Sequence, residues 1–135
     1  MLDNPKTNIK TKLAALWTSA LFLYVYGDYF QLYTPDQVES LISGDNNLDS
    51  PIKLLIASIV MAIPSIMVAG SILLNPSLNR ILNIFFGSLF TLMMVAIGIY
   101  STHEWHLFYV FYAFLESIIT ALIVWHAWNW PKQVQ

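Results

Sequence analysis

Four apolar stretches divide the chain, at about 12–33, 52–74, 79–101 and 104–130. Each is close to the roughly 20 residues a helix needs to cross the hydrocarbon core of a bilayer. Lys and Arg enter them only near their ends. The boundaries carry helix signals. Ser50-Pro51 supplies an N-cap followed by a first-turn proline. Asn75-Pro76-Ser77 breaks the chain between the second and third stretches, and Pro131 closes the fourth. The links after the second and third stretches are too short for anything but antiparallel neighbours. The pattern therefore predicts an all-α membrane protein, an up-down bundle of four transmembrane helices forming one domain over 1–135.

The first connection is longer and has a pattern of its own. Thr34-Pro35-Asp36-Gln37 reads as a capping box with proline at the first helical position. Val38, Leu41 and Ile42 then share one face, and Gly44 can end the turn. A short amphipathic helix lying on the outer membrane surface is expected here.

Composition agrees with lipid as the solvent. The 135 residues are 57% hydrophobic and only 10% charged, where a soluble domain carries charge on about a quarter. The net charge of -2 excludes a nucleic-acid partner, which requires a basic patch. With no cysteine, thiolate catalysis and cysteine metal sites are excluded as well. Lys6, Lys10 and Lys12 precede an apolar run from Leu13 to Tyr26 that is longer than most signal cores. No small-x-small cleavage site follows it, so it reads as a retained first span.

The basic residues give the direction. With the N-terminus inside, Lys6, Lys10, Lys12, Arg80 and Lys132 are cytoplasmic and Lys53 alone is outside. Both termini are then cytoplasmic in a multi-pass protein of the cell membrane. Trp17, Trp125, Trp128 and Trp130 fall toward the inner side, as an interfacial aromatic belt would. Packing is suggested by small residues, which let helices approach closely in lipid. Ser58, Ala62, Ser65 and Ala69 form one face of the second span, and Gly87, Thr91 and Gly98 one face of the third. Pro64, in mid-span, frees a backbone carbonyl and predicts a kink.

Two carboxylates lie inside the spans, Asp28 and Glu116. An acid at bilayer depth costs at least ~2.5–3.5 kcal/mol, so it is paired, protonated or functional. Glu116 is twelve residues from Glu104, about 18 Å along the axis and close to the midplane. Asp28 is shallower by roughly 10 Å. Helical spacing puts Tyr24 one turn below Asp28 and Gln31 one turn above it. Tyr112 and Tyr109 precede Glu116 by one and two turns. Each acid thus heads a polar, aromatic stripe on an apolar helix. If both stripes face inward, Asp28, Glu116, Tyr24, Tyr112, Tyr109 and Gln31 line a pocket open toward the outside. Rings and carboxylates there suit a lipophilic or cationic small molecule. The same groups also suit acid–base chemistry on a lipophilic substrate, and a plain polar seam between the first and fourth spans explains the spacing too.

His103, Glu104 and His106 stand together at the outer start of the fourth span; histidines at i and i+3 can share a metal, but with one acid and no further ligand no metal site is expected. No phosphate loop, HExxH, GxSxG elbow or dinucleotide fingerprint occurs, and no cofactor is expected.

The run Lys12-Leu13 through Leu16-Trp17 to Tyr26-Gly27-Asp28 resembles an uncharacterised family of small four-span bacterial membrane proteins. The end of the chain, from Glu116 to Trp125-His126-Ala127-Trp128-Asn129-Trp130-Pro131, resembles the same family. The resemblance implies a compact four-helix membrane domain of unknown function and transfers no catalytic role. Three classes of function stay open: a small-molecule binding or transport protein, a membrane enzyme of isomerase or cyclase type using Asp28 and Glu116, and a structural or accessory subunit. The expected partners are the lipid bilayer, a lipophilic small molecule and a second copy of the chain.

The orientation is directly testable, because the native chain has no thiol. Single cysteines replacing Thr7 and Lys132 should be shielded from impermeant thiol reagents in intact cells, and one replacing Asn46 should label. Labelling at the two terminal sites but not at Asn46 would turn the bundle over.

Overall fold

A computed structural model describes residues 2–132, so Met1 and residues 133–135 of the expected domain lie outside the described residues. Its regular structure is helical throughout. Four long helices, α1 (Ile9–Gln31), α3 (Pro51–Leu73), α4 (Pro76–Tyr100) and α5 (Leu107–Trp128), are joined by short links and one seven-residue helix, α2 (Gln37–Ser43). A 3₁₀ turn, Glu104–His106, leads into α5.

The helix starts follow the polar punctuation. Asn8 Oδ1 accepts from Lys10 N (2.8 Å), Ser50 Oγ from Lys53 N (3.3 Å) and Asn75 Oδ1 from Leu78 N (3.0 Å). Each satisfies an amide left free in a first turn. The ends of two helices are satisfied by cations. Lys10 Nζ donates to the carbonyls of Leu74 (2.6 Å) and Ile72 (3.2 Å). Arg80 donates to those of Ala127 (3.2 Å) and Trp128 (3.3 Å). A positive charge at a helix C-terminus is favoured by the helix dipole.

These contacts also fix the directions. Lys10 puts the start of α1 beside the end of α3, and Arg80 puts the start of α4 beside the end of α5. At the opposite end Tyr109 of α5 reaches Asp28 of α1. The long helices therefore alternate in direction. Around the bundle α3 packs on α1, α1 on α5 and α5 on α4, whereas α3 and α4 touch far less.

Among the described residues, three segments are long and apolar enough to cross a membrane: Pro51–Leu73, Pro76–Tyr100 and Glu104–Trp128. At 23 residues α1 has the length. It is less apolar because Tyr24, Tyr26, Tyr29, Asp28 and the Thr18–Ser19 pair interrupt it. It is also a well-buried helix, with Leu13, Trp17, Ala20, Tyr24 and Gly27 turned into the core. The outer faces of the others are large and apolar, as at Ile52, Ile59 and Ile66 on α3 or Phe111 and Phe114 on α5.

The two small-residue stripes have opposite fates. Gly87 of α4 is buried against α5, Thr91 Oγ1 donates to Thr120 Oγ1 (2.7 Å), and Gly98 faces Ala113. This stripe is the α4–α5 seam. On α3 the expected stripe of Ser58, Ala62, Ser65 and Ala69 is exposed. The packing face is instead Val60, Pro64, Met67 and Ser71, with the same four-three-four spacing moved on by two residues. Two residues are about 200° around a helix, so the expected face is the opposite one. Larger side chains fill the space because α3 stands off from α4. The helix continues through Pro64, which lies buried on the packing face.

Two further expectations need correction. The capping box at Thr34 does not form. Its hydroxyl donates to the Gln31 carbonyl (2.7 Å), and α2 begins later, behind Asp36 in a left-handed conformation. The exposed Val38, Leu41 and Ile42 do share α2, which Gly44 ends at φ 77°. Trp17, expected at the inner interface, is fully buried in the core.

A Cβ added at Gly87 would stand 2.8 Å from Val124 Cγ2 and 3.3 Å from Ile123 Cγ2. Both neighbours are β-branched and stiff. Gly87→Ala should therefore lower thermal stability in detergent by about 1–3 kcal/mol, while Ala62→Leu on the exposed face leaves the melting temperature unchanged. Equal losses in the two variants would contradict this packing.

Candidate functional site

In the half of the bundle away from Lys10 and Arg80, the helices enclose a cavity of about 260 Å³. From α1 it takes Tyr24, Gly27 and Asp28, and from α5 Tyr109, Tyr112 and Glu116. The remaining walls are apolar: Ala57, Val60 and Met61 of α3, and Met93, Met94 and Ile97 of α4. It lies where α3 and α4 are not held together, since their hydrogen bonds sit near the turn joining them, around Ser71, Asn79 and Asn83.

The polar groups on this cavity differ in how they are satisfied. Asp28 is exposed at the rim, and Tyr109 donates its hydroxyl to Asp28 Oδ1 (3.1 Å). That bond joins α1 to α5. Glu116 is only 4% exposed, and its carboxyl makes no hydrogen bond among the described residues. Tyr24, also 4% exposed, is likewise left with an unpartnered hydroxyl. Its ring is held against Phe90, with centroids 5.7 Å apart. The Tyr112 ring stacks on Phe30 of α1 at 6.4 Å. Buried polar atoms without partners are uncommon, since each costs about 1–3 kcal/mol. The Tyr24 hydroxyl is one such atom among the described residues, and the Glu116 carboxyl borders the same space.

The cavity thus brings together Tyr24, Asp28, Tyr109, Tyr112 and Glu116. Gln31 is not among its walls: it ends α1, and its carbonyl accepts from Thr34. His103 and His106 lie with ring centroids 5.7 Å apart outside the cavity. No cluster of three or more His, Asp or Glu able to hold a metal ion occurs among the described residues.

Sequence reasoning missed a second polar group, at the other end of the core. Trp17 Nε1 donates to Asn83 Oδ1 (2.7 Å), Asn83 Nδ2 to Asn79 Oδ1 (2.7 Å) and Asn79 Nδ2 to the Ser71 carbonyl (2.7 Å). All four side chains are fully buried. The signal was two asparagines one turn apart on an apolar helix, the spacing already used for the acids and tyrosines. Phe90, which touches both Trp17 and Tyr24, separates this closed network from the open cavity.

A bundle of alternating long helices, three of them apolar enough to cross a membrane, around a cavity walled by tyrosines, methionines and two acids, is the class of protein these features define. The chain belongs to the Family of unknown function (DUF6326), which it matches over residues 3–135. Neither the curated proteins nor the solved structures include a match to it.

Proposed function

We propose that this is a four-span protein of the cell membrane, with both termini cytoplasmic, that binds a small, mostly apolar cation in the Glu116 cavity. Its fourth span is α1. Its length, its packing along α3 and α5, and the position of Lys10 at the end shared with Arg80 support that reading. Five of the six basic residues then lie on the cytoplasmic side, and the sixth, Lys53, is paired with Asp49 at 2.6 Å.

The observation that carries the binding reading is the Glu116 carboxyl, on a buried residue of the cavity wall and without a hydrogen-bond partner among the described residues. A bound cation would supply that partner. The tyrosine rings add attraction for positive charge through their faces, and the methionines give an adaptable apolar wall. Two acids and no Lys or Arg around the space reject anions. The volume, about 260 Å³, lies at the lower limit of small-molecule pockets, which run from roughly 300 to 1,000 Å³. The ligand is accordingly compact, on the scale of a single-ring aromatic ammonium ion.

Benzyltrimethylammonium and its uncharged isostere neopentylbenzene separate charge from shape. With the full chain in detergent, Glu116→Gln should weaken the cation roughly 10- to 100-fold, the worth of a charged contact of about 1.5–3 kcal/mol. The isostere should be nearly unaffected. Equal loss for both probes, or no binding of the cation to the unaltered protein, would contradict this function.

A further inference from the structure

The two acids on the cavity are held differently, and the difference bears on how a cation enters. Asp28 stands exposed at the rim, and its carboxyl accepts a hydrogen bond from the Tyr109 hydroxyl. Glu116 has neither support. It is buried, receives no hydrogen bond among the described residues, and has no Lys or Arg among the cavity walls. The titratable groups facing it are Tyr24 and Asp28 from α1 and Tyr109 and Tyr112 from α5. The faces of α3 and α4 contribute only aliphatic and methionine side chains. An ionised Glu116 would then be an uncompensated charge in an apolar wall beside a second negative charge. Such a charge is avoided by keeping the proton.

We propose that the cavity is a proton–cation exchange site in which Glu116, not Asp28, gives up one proton for each monocation bound. This rests on the binding function above and specifies its chemistry. The O–H bond of the Glu116 carboxyl breaks, its electron pair stays on the carboxylate, and the proton passes to water on the Asp28 side. The cation takes its place against the new carboxylate. The cavity's net charge is the same before and after, so the exchange buries no additional charge and avoids the desolvation cost of an unpaired ion. A neutral ligand has no such coupling and enters with the proton retained.

Coupled exchange has a definite sign. Raising the pH removes the competing proton, so the cation binds more tightly, by about tenfold per pH unit for one proton until Glu116 is ionised without ligand. Neopentylbenzene does not show that gain.

The measurement is proton release on saturating the full-length protein with benzyltrimethylammonium in weakly buffered detergent, together with its affinity across a pH series. About one proton per cation and a rising affinity are expected for the unaltered chain. At saturation Glu116→Gln should release none, whereas Asp28→Asn, though binding more weakly, should still release one. Cation binding with no proton release and no pH dependence would overturn the exchange while leaving the binding function standing. Release that survives in Glu116→Gln but is lost in Asp28→Asn would move the proton to the rim and also overturn it. If neither probe binds, the binding function fails and the exchange with it. The unaltered protein alone decides between exchange and simple binding, should either variant fail to fold.

Discussion

The 2.7 Å hydrogen bond from Trp17 Nε1 to Asn83 Oδ1 ties α1 to α4 through the centre of the bundle. In apolar surroundings an indole N–H or an amide must find its partner inside the protein. That requirement admits few registers between the two helices. Once Trp17 is level with Asn83, helical repeat places Tyr24 two turns further along the same face and level with Phe90, the ring it packs against. The chain continues to Gly27 and Asp28 at the cavity wall. On α4 the same repeat carries Asn83 through Gly87, which admits α5 closely, to Phe90 and Met94.

The two halves of the core therefore treat polar atoms in opposite ways. Below Phe90, Trp17, Asn83, Asn79 and Ser71 satisfy one another, and Lys10 and Arg80 seal the helix ends nearby. Such a closed network favours one packing over its competitors. Above Phe90, among the described residues, no side-chain hydrogen bond links α3 to α4, the Tyr24 hydroxyl has no partner, and the Glu116 carboxyl borders the cavity without a hydrogen bond. Under the proposed function, the groups of the second half are where a ligand gains binding energy.

Much of the helical organisation was legible because it rests on local chemistry. Ser50-Pro51 and Asn75-Pro76 cap the helices they precede, and the small residues from Gly87 to Gly98 mark the α4–α5 seam. One-turn spacing already grouped Tyr24 with Asp28 and Tyr112 with Glu116. What was illegible depends on partners distant in sequence. In a chain that is apolar inside and out, Met67 and Val60 do not look different from lipid-facing residues, so the packing face of α3 was placed on the wrong side. The α3 and α4 walls of the cavity were hidden for the same reason. Trp17 was read as interfacial because nothing local reveals that Asn83, 66 residues later, accepts its N–H. Gln31 shared a helical stripe with Asp28 but lies at the end of α1, beyond the cavity.

Both the proposed binding and the proposed exchange depend on a cation seated against the Glu116 carboxyl. An experimental structure with the 4-bromo derivative of benzyltrimethylammonium tests it most directly, because bromine can be located by its anomalous scattering. A peak inside the bundle, with the ammonium group against Glu116 and the ring between Tyr24 and Tyr112, is the predicted result. A peak only on the outer surface, or a Glu116 sealed by side chains with no space beside it, would contradict that placement.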